Sequence, residues 1–214
     1  KLAEEKTGDI HVGLRLGQYV QPRSYEVLGY ALMSRNNLQQ AIEQLIRFDA
    51  LIWDVGGTTF HIEGDMGYLG LNPLRVPWVP PQAFELAMSG QVAFGRWITG
   101  TSYHPTKIQM RHAQRGDRAV YESVFGCPVE FNAPRYAVSF PAEYLQMPLC
   151  YADAALEQIM IDTGQKILAH YPREANVANE ARALISELLP LGQQDLESVA
   201  SRLQLTSQQL SRRL

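Results

Sequence analysis

The residues with chemistry to offer are few and scattered. Five histidines (His11, His61, His104, His112 and His170) and two cysteines (Cys127 and Cys150) are spread along 214 residues. No two of them sit at the short spacings that close a zinc site. Two such cysteines read as buried, reduced thiols of a cytoplasmic protein, with a disulfide between them as the alternative. The chain holds no Gly-x-Ser-x-Gly elbow, phosphate-binding glycine loop, His-Glu-x-x-His pair or dinucleotide fingerprint. Asp54, Glu63 and Asp65 stand beside turn signals and read as solvent-facing. The expectation is therefore not an enzyme, with no catalytic residue, metal or cofactor. A haem or metal sensor using His104 or His112 is one alternative, and a small-ligand carrier or enzyme is another.

Two groups of residues suit binding better. Trp53, Tyr68, Trp78, Trp97 and Tyr103 fall near the ends of expected strands and helices, where pockets form, and His104 and Arg111 can anchor an anionic group. Aromatics in a chain of this size also serve as plain core. The second group lies in Asp195–Leu214. Leu196, Val199, Ala200 and Leu203 make one apolar helix face. Gln204-Leu205 turns the chain, Thr206 caps a second helix, and Leu210 and Leu214 face back to the first. Ser207, Gln208, Ser211 and Arg212 are left pointing outward, with no acidic residue from Thr206 onward. Hydroxyls, amides and guanidinium groups on an exposed helix suit base edges and phosphates of a DNA major groove. The pattern reads as a helix-turn-helix or as an ordinary antiparallel helix pair at a domain edge.

The elements that must position these residues follow from composition and periodicity. A net charge of −3 excludes a protein whose whole surface grips nucleic acid, while leaving room for a small DNA-reading module. From Asn176 onward, Arg182, Arg202, Arg212 and Arg213 only balance Glu180, Glu187, Asp195 and Glu197, a weak electrostatic footprint. No apolar run is long enough to span a membrane. The first residue is Lys1, which predicts a fragment.

Lys1–Thr7 reads as a helix end stopped by Gly8. Alternation of Ile10, Val12, Leu14 and Leu16 favours a strand, with a packed loop or helical turn as the alternative. Helices are expected over Tyr25–Met33 and Asn37–Phe48, the latter with Leu38, Ala41, Ile42, Leu45 and Ile46 as its stripe. Leu51–Asn72 reads as a meander of short antiparallel strands, and the prolines of Pro73–Pro81 as an irregular connection. Gln82–Thr101 is a long helix with Phe84, Ala87, Met88, Gln91, Phe94, Gly95 and Ile98 inward. Lys107–His112 is a strand, Arg118–Phe125 a helix ended by Gly126, and Val129–Phe131 with Tyr136–Phe140 a hairpin or paired strands. Asp153 caps a helix to about Tyr171, with Leu156, Ile159, Met160, Thr163 and Ile167 inward. Pro172–Asn176 is the one convincing linker, followed by a helix over Glu180–Leu189.

In order along the chain, Gly13-Leu14-Arg15-Leu16-Gly17, Leu28-Gly29-Tyr30-Ala31-Leu32-Met33-Ser34 running into Leu38-Gln39-Gln40-Ala41-Ile42, Tyr121-Glu122-Ser123-Val124-Phe125-Gly126-Cys127-Pro128-Val129-Glu130-Phe131 and Leu145-Gln146-Met147-Pro148-Leu149 with Asp153 resemble the AraC/XylS family of bacterial transcription regulators. Val199-Ala200, Leu205-Thr206 and Leu210-Ser211-Arg212-Arg213-Leu214 complete the match. The sequence is most similar to members whose sensor is the "arabinose-binding-domain-like" type, a label that does not imply arabinose.

The resemblance implies an α+β fold, with helices on a short-stranded, mostly antiparallel sheet, followed by an all-α helix-turn-helix start. It divides the chain into an effector-sensing and dimerisation domain over residues 1–172 and an incomplete DNA-binding domain over 176–214, the first of two helix-turn-helix units. Carried across by position, Thr206, Gln208 and Arg212 face bases, with Ser207, Gln209 and Ser211 nearer phosphate. Thr206 replaces a commoner Ser, and Leu214 a frequent Phe. The expected partners are DNA, a small-molecule effector and a second copy of the chain, in the cytoplasm and not at a membrane.

Overall fold

A computed structural model describes residues 2–48, 56–73, 79–170, 181, 184, 195–203 and 205–213. The expected strand at Leu51–Asp54, the linker at 172–176, and the helix at 180–189 apart from Ala181 and Leu184 lie outside the described residues.

Helix α1, Leu2–Thr7, stops at Gly8, whose left-handed φ of 67° lets its N–H reach the Glu4 carbonyl. The next segment corrects the strand expectation: Val12–Gly17 is a helix, α2. Its alternating apolar residues do not share a buried face, Leu14 being sealed while Leu16 is 51% exposed. Gly13 and Gly17, four apart, instead lay bare backbone against the long helix α5, Pro81–Thr99. A Cβ at Gly13 would overlap the Gln82 carbonyl, and one at Gly17 the Ser89 hydroxyl and Leu86 carbonyl. The helix exists because two backbones approach where side chains are missing.

A 3-10 turn, Pro22–Tyr25, leads into α3, Glu26–Met33, and then α4, Leu38–Arg47, whose cap Asn37 accepts the Gln40 N–H at 3.0 Å. The α4 stripe buries Leu38, Ala41 and Ile42 as expected, together with the unpredicted Gln44, and leaves Ile46 38% exposed.

Strands β1, Gly56–Glu63, and β2, Met66–Pro73, form the predicted antiparallel pair, turning through Gly64 at φ 61°. The remaining strands are β3, Lys107–Gln109, β4, Val129–Glu130, and β5, Tyr136–Pro141. Their order is β1-β2-β5-β3-β4, antiparallel throughout except β3 with β4. Two expectations are corrected here. β4 and β5 are not paired, because β3 lies between them, and β3 ends at Gln109 rather than His112.

Thr58, Leu69, Leu71, Val138 and Phe140 alternate onto the sheet's inner face, under α3, α4 and α5. The outer face is polar, carrying Thr59, His61, Tyr68, Asn72, Ser139 and Gln109.

Helix α6, Arg118–Phe125, ends at Gly126 (φ 74°) as predicted, and Asp117, not named from the sequence, caps its start. Arg96 of α5 donates to the carbonyls of Tyr103 (2.9 Å), Val124 (3.1 Å) and Phe125 (2.6 Å), so one guanidinium closes the end of α6 and the loop after α5. After a second 3-10 turn, Ala142–Gln146, Asp153 caps α7, Ala154–His170. Arg35 ties α7 to the α3–α4 turn through an ion pair with Glu157. The α7 stripe is corrected: Ile159 and Ile167 are 57% and 39% exposed, and Gly164 is the residue buried against Phe48.

The final helices are α8, Leu196–Arg202, and α9, Ser207–Arg213. They share a second core of Ala181, Val199, Ala200 and Leu210. No helix among the described residues is long and apolar enough to cross a membrane.

Candidate functional site

Between the helical layer and the inner sheet face lies a small cavity that opens to solvent. Its wall is Leu32 from α3, Leu38, Ala41, Ile42 and Leu45 from α4, Ala87, Val92, Phe94 and Ile98 from α5, and Leu69, Val138 and Phe140 from the sheet. Thr58, Gln91, Tyr25 and Tyr103 are the polar residues among its lining. The Oε1 of Gln91 is buried and has no hydrogen-bond partner among the described residues. The tyrosine hydroxyls rest on notches in α5, Tyr25 over Gly90 and Tyr103 over Gly95. Burial pushes both phenols up to about 12. No ionised side chain lines this cavity among the described residues, so it suits an apolar molecule with one or two polar groups.

Of the five ligand candidates among the described residues, Tyr103 alone lines this cavity. Trp53 and Trp78 lie outside the described residues. Trp97 stacks on Tyr151 at 4.9 Å instead. His104 is exposed and lies over Gly126. Tyr68 and Arg111 share a different, polar depression on the outer sheet face with Arg135 and His61. Sequence reasoning read Gln91 as inward and missed its role; the available signal was an amide on an otherwise apolar helical stripe. Tyr25, at the start of an expected helix, carried no such signal.

The histidines do not converge. Among the described residues no three His, Cys, Asp or Glu side chains are arranged to hold a metal ion. His11 and His112 are drawn into a buried cluster where the Tyr121 hydroxyl donates to Glu85 at 2.6 Å and His112 Nε2 lies 3.7 Å from the same carboxylate. The cysteines are free; Cys127 is buried and its thiol pushed up to about 11, whereas Cys150 is exposed, which corrects the expectation of two buried thiols.

In the terminal pair, Asp195 accepts the Ser198 N–H at 2.9 Å and caps α8. Thr206 and Gln209 form a reciprocal cap on α9: the Gln209 N–H donates to Thr206 Oγ1 at 3.2 Å, and the Thr206 N–H to Gln209 Oε1 at 2.9 Å. These two side chains are thereby committed to holding the helix. Gln208 and Ser211 stay exposed, Ser207 is half-buried, and the Arg212 side chain lies outside the described residues. Leu205 tucks beneath both helices, with its N–H on the Ala200 carbonyl at 2.9 Å.

Residues 1–149 match the family described as the arabinose-binding domain of AraC transcription regulators, N-terminal. The ornithine utilization regulator of Pseudomonas aeruginosa is 24% identical over 99% of the chain, which spans 62% of that regulator's length. The crystal structure of transcriptional regulator CdpR from Pseudomonas aeruginosa superposes over 94% of the chain and 66% of its own, with a TM-score of 0.61 and 22% identity, a likeness of fold.

Proposed function

We propose, from the premise that this chain belongs to the family of AraC transcription regulators with the arabinose-binding type of N-terminal domain, that residues 1–172 bind a small, largely apolar effector and thereby govern DNA binding in the full-length regulator. The observation that carries the reading is the partnerless Gln91 Oε1 on the wall of an apolar cavity in the domain's core. A buried acceptor without a partner costs about 1–3 kcal/mol, and an effector N–H or O–H placed there recovers it. The tyrosine hydroxyls, protonated at neutral pH, supply donors and acceptors to a second polar group.

Ornithine, for which the Pseudomonas relative is named, fits this cavity poorly. It carries two ammonium groups and a carboxylate, and among the described residues no ionised side chain lines the wall to offset their desolvation.

Residues 176–214 begin the DNA-binding part. Gln208, Ser211 and Arg212 face bases and phosphates, Ser207 stands at the rim, and Thr206 and Gln209 shape the helix N-terminus that presents them. Effector binding shifts the arrangement of paired modules over their half-sites in a cytoplasmic homodimer. Native mass spectrometry of the chain is the test. Retention of a small molecule that Ala87→Phe, which fills the cavity, abolishes supports the effector site. Equal retention by both proteins sinks it. For the DNA reading, the full-length regulator is expected to give a sequence-specific gel shift that a Gln208→Ala, Arg212→Ala variant lacks.

A further inference from the structure

The polar depression on the outer sheet face lies on the opposite side of the sheet from the cavity, and has a different chemistry. Its wall includes Arg111 and Arg135, and neither forms an ion pair among the described residues. Two guanidinium groups bordering one depression repel each other, so they are stable together only with good hydration or a bound anion.

Arg135 is nevertheless held in place. Its guanidinium lies 4.5 Å above the Tyr68 ring, its Nε donates to Gln109 Oε1 at 3.0 Å, and Nη1 is 3.4 Å from His61 Nε2. Gln109 is oriented in turn by donating to Glu130 at 3.1 Å, and Glu130 is paired with Lys107 at 2.9 Å. This chain fixes the guanidinium while the nearest carboxylate is occupied by a different cation. Hydrogen bonds from Lys107 and Gln109 hold the Glu130 carboxyl below its usual range, with Arg135 contributing least.

Two aromatic rings stand in the floor, and the Arg135 guanidinium covers the Tyr68 ring. His61 and Tyr68 stack across the β1–β2 pair at 4.9 Å and 11°, and next to them Gly70 has no side chain. A Cβ at Gly70 would come within 2.7 Å of Thr59 Oγ1 and 2.9 Å of the Tyr136 carbonyl, so the glycine lets these two groups pack directly onto the strand beside the rings. A pre-set guanidinium beside a second, exposed one matches a carboxylate, a planar anion. Arginine forks bind that group through two parallel N–H donors.

We propose that this face is a second small-molecule site, separate from the cavity, that binds a planar carboxylate through Arg111 and Arg135. Isothermal titration of the whole chain with benzoate tests it, with benzyl alcohol as the neutral match and inorganic phosphate as the non-planar anion. Saturable benzoate binding is expected, weakened at least about tenfold by Arg111→Gln or Arg135→Gln and unchanged by the cavity-filling Ala87→Phe. Benzyl alcohol and phosphate are expected to bind at least about tenfold more weakly than benzoate. Circular dichroism checks that each variant is folded; Arg111 is exposed, so its variant keeps the test sound if the Arg135 variant does not fold. Absence of benzoate binding, loss of it in Ala87→Phe, wild-type affinity in Arg111→Gln, or phosphate binding as tightly as benzoate each overturns the proposal. The cavity effector stands or falls independently by its own retention experiment.

Discussion

Replacing Tyr103 by Phe removes one oxygen from the cavity wall and predicts a specific change in alkaline stability. The Tyr103 hydroxyl abuts α5 at Gly95, and the ring meets Tyr144 edge-on at 5.6 Å. Burial raises its phenol to about 12, with Arg96 pulling slightly the other way. In the unfolded chain a tyrosine titrates near 10. The folded state thus holds the proton more tightly. The stabilisation is complete below pH 10 and is lost as the pH rises through about 12. A rise from 10 to about 12 at 1.36 kcal/mol per pH unit is about 3 kcal/mol, of which about half is gone by pH 11. Part of the Tyr103 side chain reaches solvent, so about 2–3 kcal/mol is the working figure. Urea unfolding followed by circular dichroism at pH 9, 11 and 12 measures it. The native chain should lose about 1 kcal/mol more than Tyr103→Phe between pH 9 and 11, and about 2–3 kcal/mol more by pH 12. Parallel losses in the two proteins would refute the claim that this hydroxyl is desolvated. Tyr25→Phe provides a second, independent measurement of similar size.

Gly17→Ala should destabilise the chain by about 1–3 kcal/mol in urea unfolding, because its methyl meets backbone atoms of α5 that cannot rotate away. Arg96→Met strips a charged donor from three carbonyls and should cost about 3 kcal/mol or more, with faster proteolysis after α6 as the local readout. In the terminal pair, Thr206→Ala should lower helix stability by about 1 kcal/mol and Leu210→Ala by about 2–5 kcal/mol, both measurable by amide hydrogen exchange in α8 and α9.

Elements defined by their own residues were legible in the sequence. Asn37 and Asp153, read from the sequence at the start of their helices, each cap the helix that follows, as does Thr206. The 19-residue α5 and the β1–β2 pair follow from period alone. What was illegible depends on distant chain. Ile10-Val12-Leu14-Leu16 alternates like a strand, and only the approach of α5 to Gly13 and Gly17 makes it a helix. Val129–Phe131 and Tyr136–Phe140 are neighbours in sequence, but β3 supplies a parallel edge to one and an antiparallel edge to the other. The site was legible only in part for a related reason. Large aromatics were the sequence's pocket candidates, while most of the wall is aliphatic and drawn from α4, α5 and the sheet. Helical spacing marks Leu38, Ala41, Ile42 and Leu45 as core, and nothing in it shows that a void remains among them.

Ala41 and Ala87 are buried on the cavity wall, one on α4 and the other on α5. Enlarging either one shrinks the void without touching the glycine seam between α2 and α5. If the proposed effector occupies this void, a single substitution at either position would narrow the space for it while leaving the architecture alone.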